Sequence, residues 1–533
     1  MADTLIPLDI PPGIYRNGTP YQAKGRWFDS NLIRFYGKTI EPIGGWRIAQ
    51  TDAGADITPL EGIPRGVIAW RGLNGNIYVA FGTTEKLYVL TNGIMYDITP
   101  VGFAVGQEDT EAATGSYGAG VYGGGAYGTG SPTTALVDAD VWQFDTFGDY
   151  LVAISTSDMK PYIWLGDVGN PAVEIDISAA TGAPTTAAGL VVTPEKFLMA
   201  LGTSNQRRVS WANQAGYTVW GPLDTNSAGG YDLATDGRIM AGHRTKSETL
   251  IWTDADLWAA RYVGGLAIYR FDQVGSQCGL LSRRSKTVVD TTAYWMGKNN
   301  FFIYDGFVRS LESDVRDYVF GDFNHTQSAK VWAQSIAEFG EVWWFYCSAD
   351  SNEINRYVVY NYRENHWTIG QLARTAGVDA GVVQNPIMCD VTGRVYDHEV
   401  LQNRPASTDT QSGVDLLTED DDFLITEDGL FVLTTEQSPP YLESGPVQIG
   451  EGDFLMSLQR LVPDEKTLGD VRASIYTALY PTSPETLNGP YDLTNPTSIR
   501  VTARQVRLRL EEVRPTDWRV GIIRFGVRQS SRR

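Results

Sequence analysis

Cysteine is nearly absent. Cys278, Cys347 and Cys389 stand far apart in 533 residues. An odd, scattered set supplies neither a disulfide framework nor a CxxC metal pair. Two of the three have apolar or aromatic flanks, so buried free thiols are the plain reading. Cations are also scarce: 43 Lys and Arg against 63 Asp and Glu leave a formal charge of −20. That balance argues against a protein held on DNA by non-specific phosphate attraction, and against one that clings to an anionic membrane surface. No run of about 18 apolar residues occurs, so no membrane-spanning helix is expected. The opening MADTLIPLDIPPG lacks the charged-then-apolar pattern of a secretory leader. A soluble protein made in a reducing cytoplasm is expected.

The motifs of common chemistries are missing too. There is no GK[ST] phosphate loop and no GxSxG nucleophile elbow. Gly118 to Gly123 formally matches GxGxxG, but it lies in a glycine-rich tract with no helix to follow, which a dinucleotide site requires. The four histidines, His243, His325, His366 and His398, are never at ligand spacing. Asp305, Asp314, Asp317 and Asp390 are candidates for a glycosidase pair only in a generic sense, because sequence does not set their separation; Asp305–Gly306 reads more simply as a turn. The acidic run from Glu419 lacks the calcium-loop spacing. The chain is therefore read as non-enzymatic, with no catalytic, cofactor-binding or metal residues.

What the chain has in quantity is aromatic residues and turns: 15 Trp, 27 Tyr, 19 Phe and 56 Gly. These favour strands joined by tight turns. In NGNIYVAFGTTEKLYVLTNGIMYDITP, Ile77–Phe81 and Leu87–Leu90 read as strands, and Asn92–Gly93 as the next hairpin turn. The same grammar returns around Trp142 and Tyr150–Ala153, then at Phe197–Leu201, Thr249–Trp252, Phe301–Tyr304, Val342–Cys347 and in NPIMCDVTGRVYDHEV. In YNYRENHWTIG, Tyr360 and Tyr362 share one strand face, Arg363 to His366 turn the chain, and Trp367 begins the return strand. Six or seven such units, about 40–60 residues apart, predict a β-propeller; a long β-sandwich is the competing reading.

Residues 1–50 read as an irregular, partly β segment associated with the propeller, and 51–407 as the propeller itself. Two insertions interrupt the pattern. Residues 114–134 form a Gly/Tyr tract with Tyr117, Tyr122 and Tyr127 at intervals of five. Residues 408–437 carry the repeat LLTED, FLITED, FVLTTE. Tyrosines on glycine-rich backbone suit a partner surface, and the acidic repeat suits added edge strands. Tyr117, Tyr122, Tyr127, Glu419, Asp420, Glu427 and Asp428 are thus the candidate partner contacts. Residues 438–533, with alternating Val501, Val506, Leu508 and Leu510, predict a separate β-sandwich.

Five stretches together resemble the nozzle, or packaged-DNA-stabilisation, proteins of short-tailed bacteriophages. They are WFDSNLIRFYGKTIEPIGGW (Trp27 to Trp46), FGDYLVAIS (Phe147 to Ser155), IYDG (Ile303 to Gly306), VVYNYRENHW (Val358 to Trp367) and RQVRLRLEE with WRVGIIRFGVR (Arg504 to Arg528). The resemblance implies a β-propeller with β-sandwich elements in a homo-oligomeric, six-fold ring of the virion tail, assembled in the bacterial cytoplasm. Such a ring extends the double-stranded DNA channel without sequence-specific contact and retains packaged DNA. It docks on the portal-adaptor ring and carries fibres, spikes or a plug or needle. No catalytic residue is carried over. Acidic charge lining that channel would let DNA slide. The alternatives are a glycan- or receptor-binding propeller and, beyond that, a polysaccharide-cleaving one.

Overall fold

The computed structural model describes residues 4–112, 136–175, 182–265, 267–400, 414–415, 433–434, 439–448, 455–466, 469–481, 483–494, 496–514 and 516–529. Strands dominate, and seven four-stranded antiparallel sheets repeat along the chain. Sheet 1 is Pro64–Arg71, Ile77–Thr83, Leu87–Thr91 and Ile94–Asp97; sheet 2 is Trp142–Phe147, Tyr150–Ser155, Pro161–Trp164 and Val173–Glu174. Sheet 3 is Gly189–Val192, Leu198–Leu201, Arg208–Trp211 and Gly229–Asp232; sheet 4 is Ile239–Arg244, Thr249–Thr253, Asp256–Tyr262 and Tyr269–Ser276. Sheet 5 is Lys286–Val289, Thr292–Met296, Phe301–Tyr304 and Val308–Leu311; sheet 6 is Trp332–Ile336, Glu341–Tyr346, Arg356–Asn361 and His366–Gln371. Sheet 7 takes three strands from Ala376–Val378, Ile387–Cys389 and Val395–His398, and its fourth, Trp46–Ile48, from near the other end of the chain.

Local chemistry accounts for the hairpins. Thr91 pairs with Ile94, and the two residues between, Asn92 and Gly93, both have positive φ (50° and 71°). That is the turn whose twist matches the strands it joins. Middle strands such as Glu341–Tyr346 are buried at every position. A strand covered on both faces reads as a continuous apolar run, here EVWWFY.

Each sheet packs on the next through apolar side chains. Tyr78 meets Trp164 between sheets 1 and 2, and Val152 groups with Leu198 between 2 and 3. Val209 groups with Ile251 between 3 and 4, and Trp252 meets Trp295 between 4 and 5. Phe301 meets Trp344 between 5 and 6. Phe345 groups with Met388 between 6 and 7, and Val395 of sheet 7 groups with Phe81 of sheet 1. The seventh sheet thus returns to the first.

Two larger sheets lie outside this series, beside a two-stranded hairpin of Ile33–Tyr36 and Thr39–Pro42. One orders Thr4–Leu8, Ile523–Gln529, Met456–Val462 and Thr497–Ala503; the other orders Trp27–Asn31, Tyr441–Ser444, Gln505–Glu512, Val471–Ala478 and Thr486–Asp492. Strict in–out alternation in Thr497–Ala503 marks a sheet with one buried face. Leu458, Val501, Leu508, Trp518 and Phe525 share a core that continues into Trp344 and Trp367 of sheet 6.

Sequence reading associated residues 1–50 with the repeated sheets. Only Trp46–Ile48 joins them; Thr4–Leu8 and Trp27–Asn31 complete the C-terminal pair of sheets. Alternation identifies a strand but not its partner, because the partner is chosen by tertiary packing. The turn after Asn361 also falls one residue earlier than expected: His366 pairs with Asn361, so Tyr362 belongs to the turn and not to the strand, and Asn365 takes the positive φ of 58°.

Candidate functional site

The first strands of all seven repeated sheets line one cavity of about 380 Å³. They come close because they carry glycine. A Cβ on Gly66 would stand 2.8 Å from Cβ of Trp142, and one on Gly242 would stand 2.8 Å from Leu201 Cδ1, nearer than packed side chains allow.

The lining is basic although the chain is acidic. It contains Arg244, Arg283, Arg284 and Lys286 against a single carboxylate, Asp145. Arg283 and Arg284 lie just before the first strand of sheet 5 and reach across to the starts of other first strands. Arg283 Nη1 donates to the carbonyls of Ala188 (2.5 Å) and Met240 (2.9 Å), and Arg284 Nη2 donates to that of Thr375 (2.7 Å). These contacts tie sheet 5 to sheets 3, 4 and 7. Further along the strands, Arg244 Nη1 stands 3.4 Å from Asp145, whose carboxylate also accepts from the backbone N–H of Val192 (2.7 Å).

Lys286 is different. Among the described residues its ammonium has no hydrogen-bond or ion-pair partner; its close contact is the face of Trp252, 5.7 Å away. His243 beside it opens onto the cavity. Burial presses the pKa of Arg283, Arg284 and Lys286 downward, Lys286 to about 8. Desolvation, with Lys286 and Arg244 adding repulsion, lowers that of His243, so the imidazole is neutral at pH 7. Burial raises the pKa of Asp145, against the pull of Arg244. Phe144 also lines the cavity and stacks on the buried Trp142 at 5.6 Å.

Near the strand starts, the connection between sheets 1 and 2 is bound to the connection between sheets 5 and 6. Thr110 N–H donates to Gln327 Oε1 (3.0 Å), and Gln327 Nε2 returns to Thr110 O (3.3 Å). Arg65, wholly buried, pairs with Glu353 through two contacts of 2.9 and 2.6 Å, and Lys330 bonds Asp109 and Glu353.

The sequence-predicted partner contacts Tyr117, Tyr122, Tyr127, Glu419, Asp420, Glu427 and Asp428 lie outside the described residues, as does Gly118 to Gly123. The generic carboxylates are occupied structurally. Asp390 accepts from Thr392, Arg394 and Tyr396, Asp305 pairs with Arg309, and Asp314 pairs with Arg26. His398 is buried, accepts from Arg374 Nε at 2.9 Å and stacks on Trp46. No group of three or more His, Cys, Asp or Glu able to hold a metal occurs among the described residues. Sequence reading passed over the cavity cations. The hint was SRRSK, three cations in four positions at a strand start in an acidic chain.

No protein-family model matches the chain, and no curated protein does. Solved structures give distant likenesses. The Pan2 WD40 domain of Neurospora crassa is 6% identical with a TM-score of 0.35, covering 69% of this chain and 97% of that one. A copper-bound fungal alcohol oxidase of the AA5 family is 9% identical at 0.36, over 90% and 93%. An exo-β-1,3-galactanase from Phanerochaete chrysosporium is 11% identical at 0.21, over 91% and 100%. Scores this low carry no argument about activity.

Proposed function

We infer that the chain is a seven-bladed β-propeller joined to a β-sandwich, and that it works by binding and assembly rather than catalysis. Three observations support the propeller: seven successive four-stranded sheets, a seventh sheet completed by Trp46–Ile48 from near the other end, and a cavity lined by every first strand. Closing the last blade with a distant strand removes the exposed edges of an open array.

The observation that favours ligand binding is the cavity. Its size suits a small ligand, and it combines an aromatic wall with a few convergent charges. This reading is a glycan- or receptor-binding propeller. A glycan array, with hydrolysis assays on any glycan retained, tests it: binding without cleavage is expected, and cleavage would reclassify the protein as an enzyme.

A second reading, a ring component of a phage tail, is favoured by a different observation. Three of the stretches that resemble nozzle proteins meet at the joint between the two modules. Ile40 and Val520 exchange backbone hydrogen bonds of 2.8 and 2.9 Å, and Ser30 Oγ donates to Ile369 O at 2.8 Å, just beyond Trp367. A stiff joint suits a part that bears load between neighbours in a ring. A cavity of this size is ligand-sized, so in this reading the DNA channel runs between copies of the chain and not through one propeller. Electron microscopy of the purified chain, alone and with portal and adaptor proteins, is the test. Six-fold rings docked on the adaptor are expected; a monomer that never joins those partners overturns the tail reading.

A further inference from the structure

We propose that the cavity is an anion site, and that it takes a small organic anion whose phosphate or carboxylate group sits between Lys286 and Arg244 while its body lies against Phe144.

Four cations and one carboxylate face the same 380 Å³, in a chain whose net charge is −20. Cations gathered in one cavity without matching carboxylates repel one another. Such a cluster persists where something offsets that cost, and a bound anion does so by accepting several charge-assisted hydrogen bonds at once.

The structural cations differ from the free one in their partners. Arg283 spends Nη1 on the carbonyls of Ala188 and Met240, and Arg284 spends Nη2 on that of Thr375. Their role in tying the sheets together is explained by those bonds. Lys286 ties nothing: among the described residues no carbonyl, hydroxyl or carboxylate accepts from its ammonium. Asp145, the one carboxylate of the lining, is engaged by Arg244 and by the backbone N–H of Val192 and Thr146. A lysine directed at an interior cavity with no acceptor is what an anion site holds before its ligand arrives.

The cavity also offers the body of a ligand its contacts. His243, neutral at pH 7, adds a hydrogen-bonding group without adding charge, and half-buried Phe144 gives a flat apolar face. Inorganic phosphate alone leaves that face unfilled. A sugar phosphate or an acidic sugar covers both.

The inference deepens the ligand-binding reading and rests on it for the shape of the cavity. The experiment is calorimetric titration of the full chain at about 0.15 M ionic strength, where weak surface attraction is screened. The probes are inorganic phosphate, glucose 6-phosphate, glucuronic acid and glucose. Binding of glucose 6-phosphate or glucuronic acid, with glucose silent, is expected, and the tighter of the two identifies the source of the anion. Lys286→Met should weaken that binding about 10- to 100-fold, the worth of one charged hydrogen bond, with the melting temperature kept or raised. Arg244→Gln is the second variant if Lys286→Met does not fold. Silence of both organic anions, equal binding by the variants, or binding of glucose as tight as that of the acids overturns the anion site. A cryo-electron microscopy map of the same sample separates the two ideas. A cavity enclosed by seven strands but silent to anions removes the site and keeps the propeller; an open, collapsed or absent cavity removes both.

Discussion

Arg34 and Glu341 form a buried, two-pronged ion pair, with Nε–Oε1 at 2.8 Å and Nη2–Oε2 at 3.0 Å, across 307 residues of sequence. Glu399 adds a second carboxylate to the same guanidinium at 2.8 Å. Arg34 comes from a hairpin that leans on the C-terminal sheets through Ile40 and Val520, Glu341 opens a strand of sheet 6, and Glu399 follows the last strand of sheet 7. One guanidinium therefore fastens three parts of the molecule. Its side chain is 2% exposed, so the pair depends on mutual satisfaction rather than on water.

Removing one partner of such a pair strands the other charge. Glu341→Ala should lower stability by about 3–5 kcal/mol, read by urea denaturation. Arg34→Met combined with Glu341→Leu should cost less than Glu341→Ala alone, since no buried charge is left unpaired. A double variant at least as unstable as the single one would refute this account.

Trp367 is an aromatic keystone between sheets 5 and 6. Its ring lies 4.8 Å from that of Phe301 and 4.9 Å from that of Tyr360, and its indole N–H donates to Glu312 O at 2.9 Å. Trp367→Ala should cost about 3–5 kcal/mol, measured in the same way. Unchanged stability with lost ligand binding would turn this residue from scaffold into site.

Asp256 is a buried acceptor at the centre of a four-donor cluster. Thr235 Oγ1 (2.9 Å), Trp258 Nε1 (3.1 Å), Gln273 Nε2 (3.0 Å) and the hydroxyl of Thr253 all donate to it. Asp256→Ala leaves these donors without an acceptor and should cost more than about 3 kcal/mol. Asp256→Asn keeps the shape but turns an N–H₂ toward donors, so it should also destabilise, by less.

Glu465 predicts a pH response. Desolvation, with Asp470 repelling it, raises its pKa from 4.5 to about 7 in the folded state. The folded protein then holds the proton more tightly than the unfolded chain, so stability falls as pH rises from about 4.5 to 7. Glu465→Gln should raise the melting temperature relative to the parent at pH 8 and leave it unchanged near pH 4.5. Equal melting curves at pH 8 would count against it.

The three thiols should be silent in the native state. Cys278, Cys347 and Cys389 are buried, and burial raises their pKa, to about 12 for the first two. At pH 8 a maleimide should label none of them until denaturant is added; mass spectrometry counts the adducts. Fast native labelling would place a thiol at an accessible site.

Local features were legible where the cause was local. Asn92–Gly93 announced its hairpin because positive φ at two successive residues is easy for those side chains and hard for most. The apolar run EVWWFY announced a strand, and the structure covers it on both faces. The alternation of Val506, Leu508 and Leu510 announced a strand with one buried face, while Val501 belongs to a strand of the other C-terminal sheet. The cavity was not legible. Three of its cations stand together in SRRSK, but only the convergence of first strands brings them onto one cavity with Arg244 and Asp145.

The sequence by itself determined an all-β chain, its hairpins and their recurrence, since strand periodicity and turn chemistry act over a few residues. Tertiary structure alone decided which strands were partners. Trp46–Ile48 completes a sheet with Val395–His398, and Thr4–Leu8 pairs with Ile523–Gln529. A strand edge offers the same row of N–H and C=O groups to any neighbour. What selects between neighbours is the shared core, and that core exists only when residues hundreds of positions apart have met.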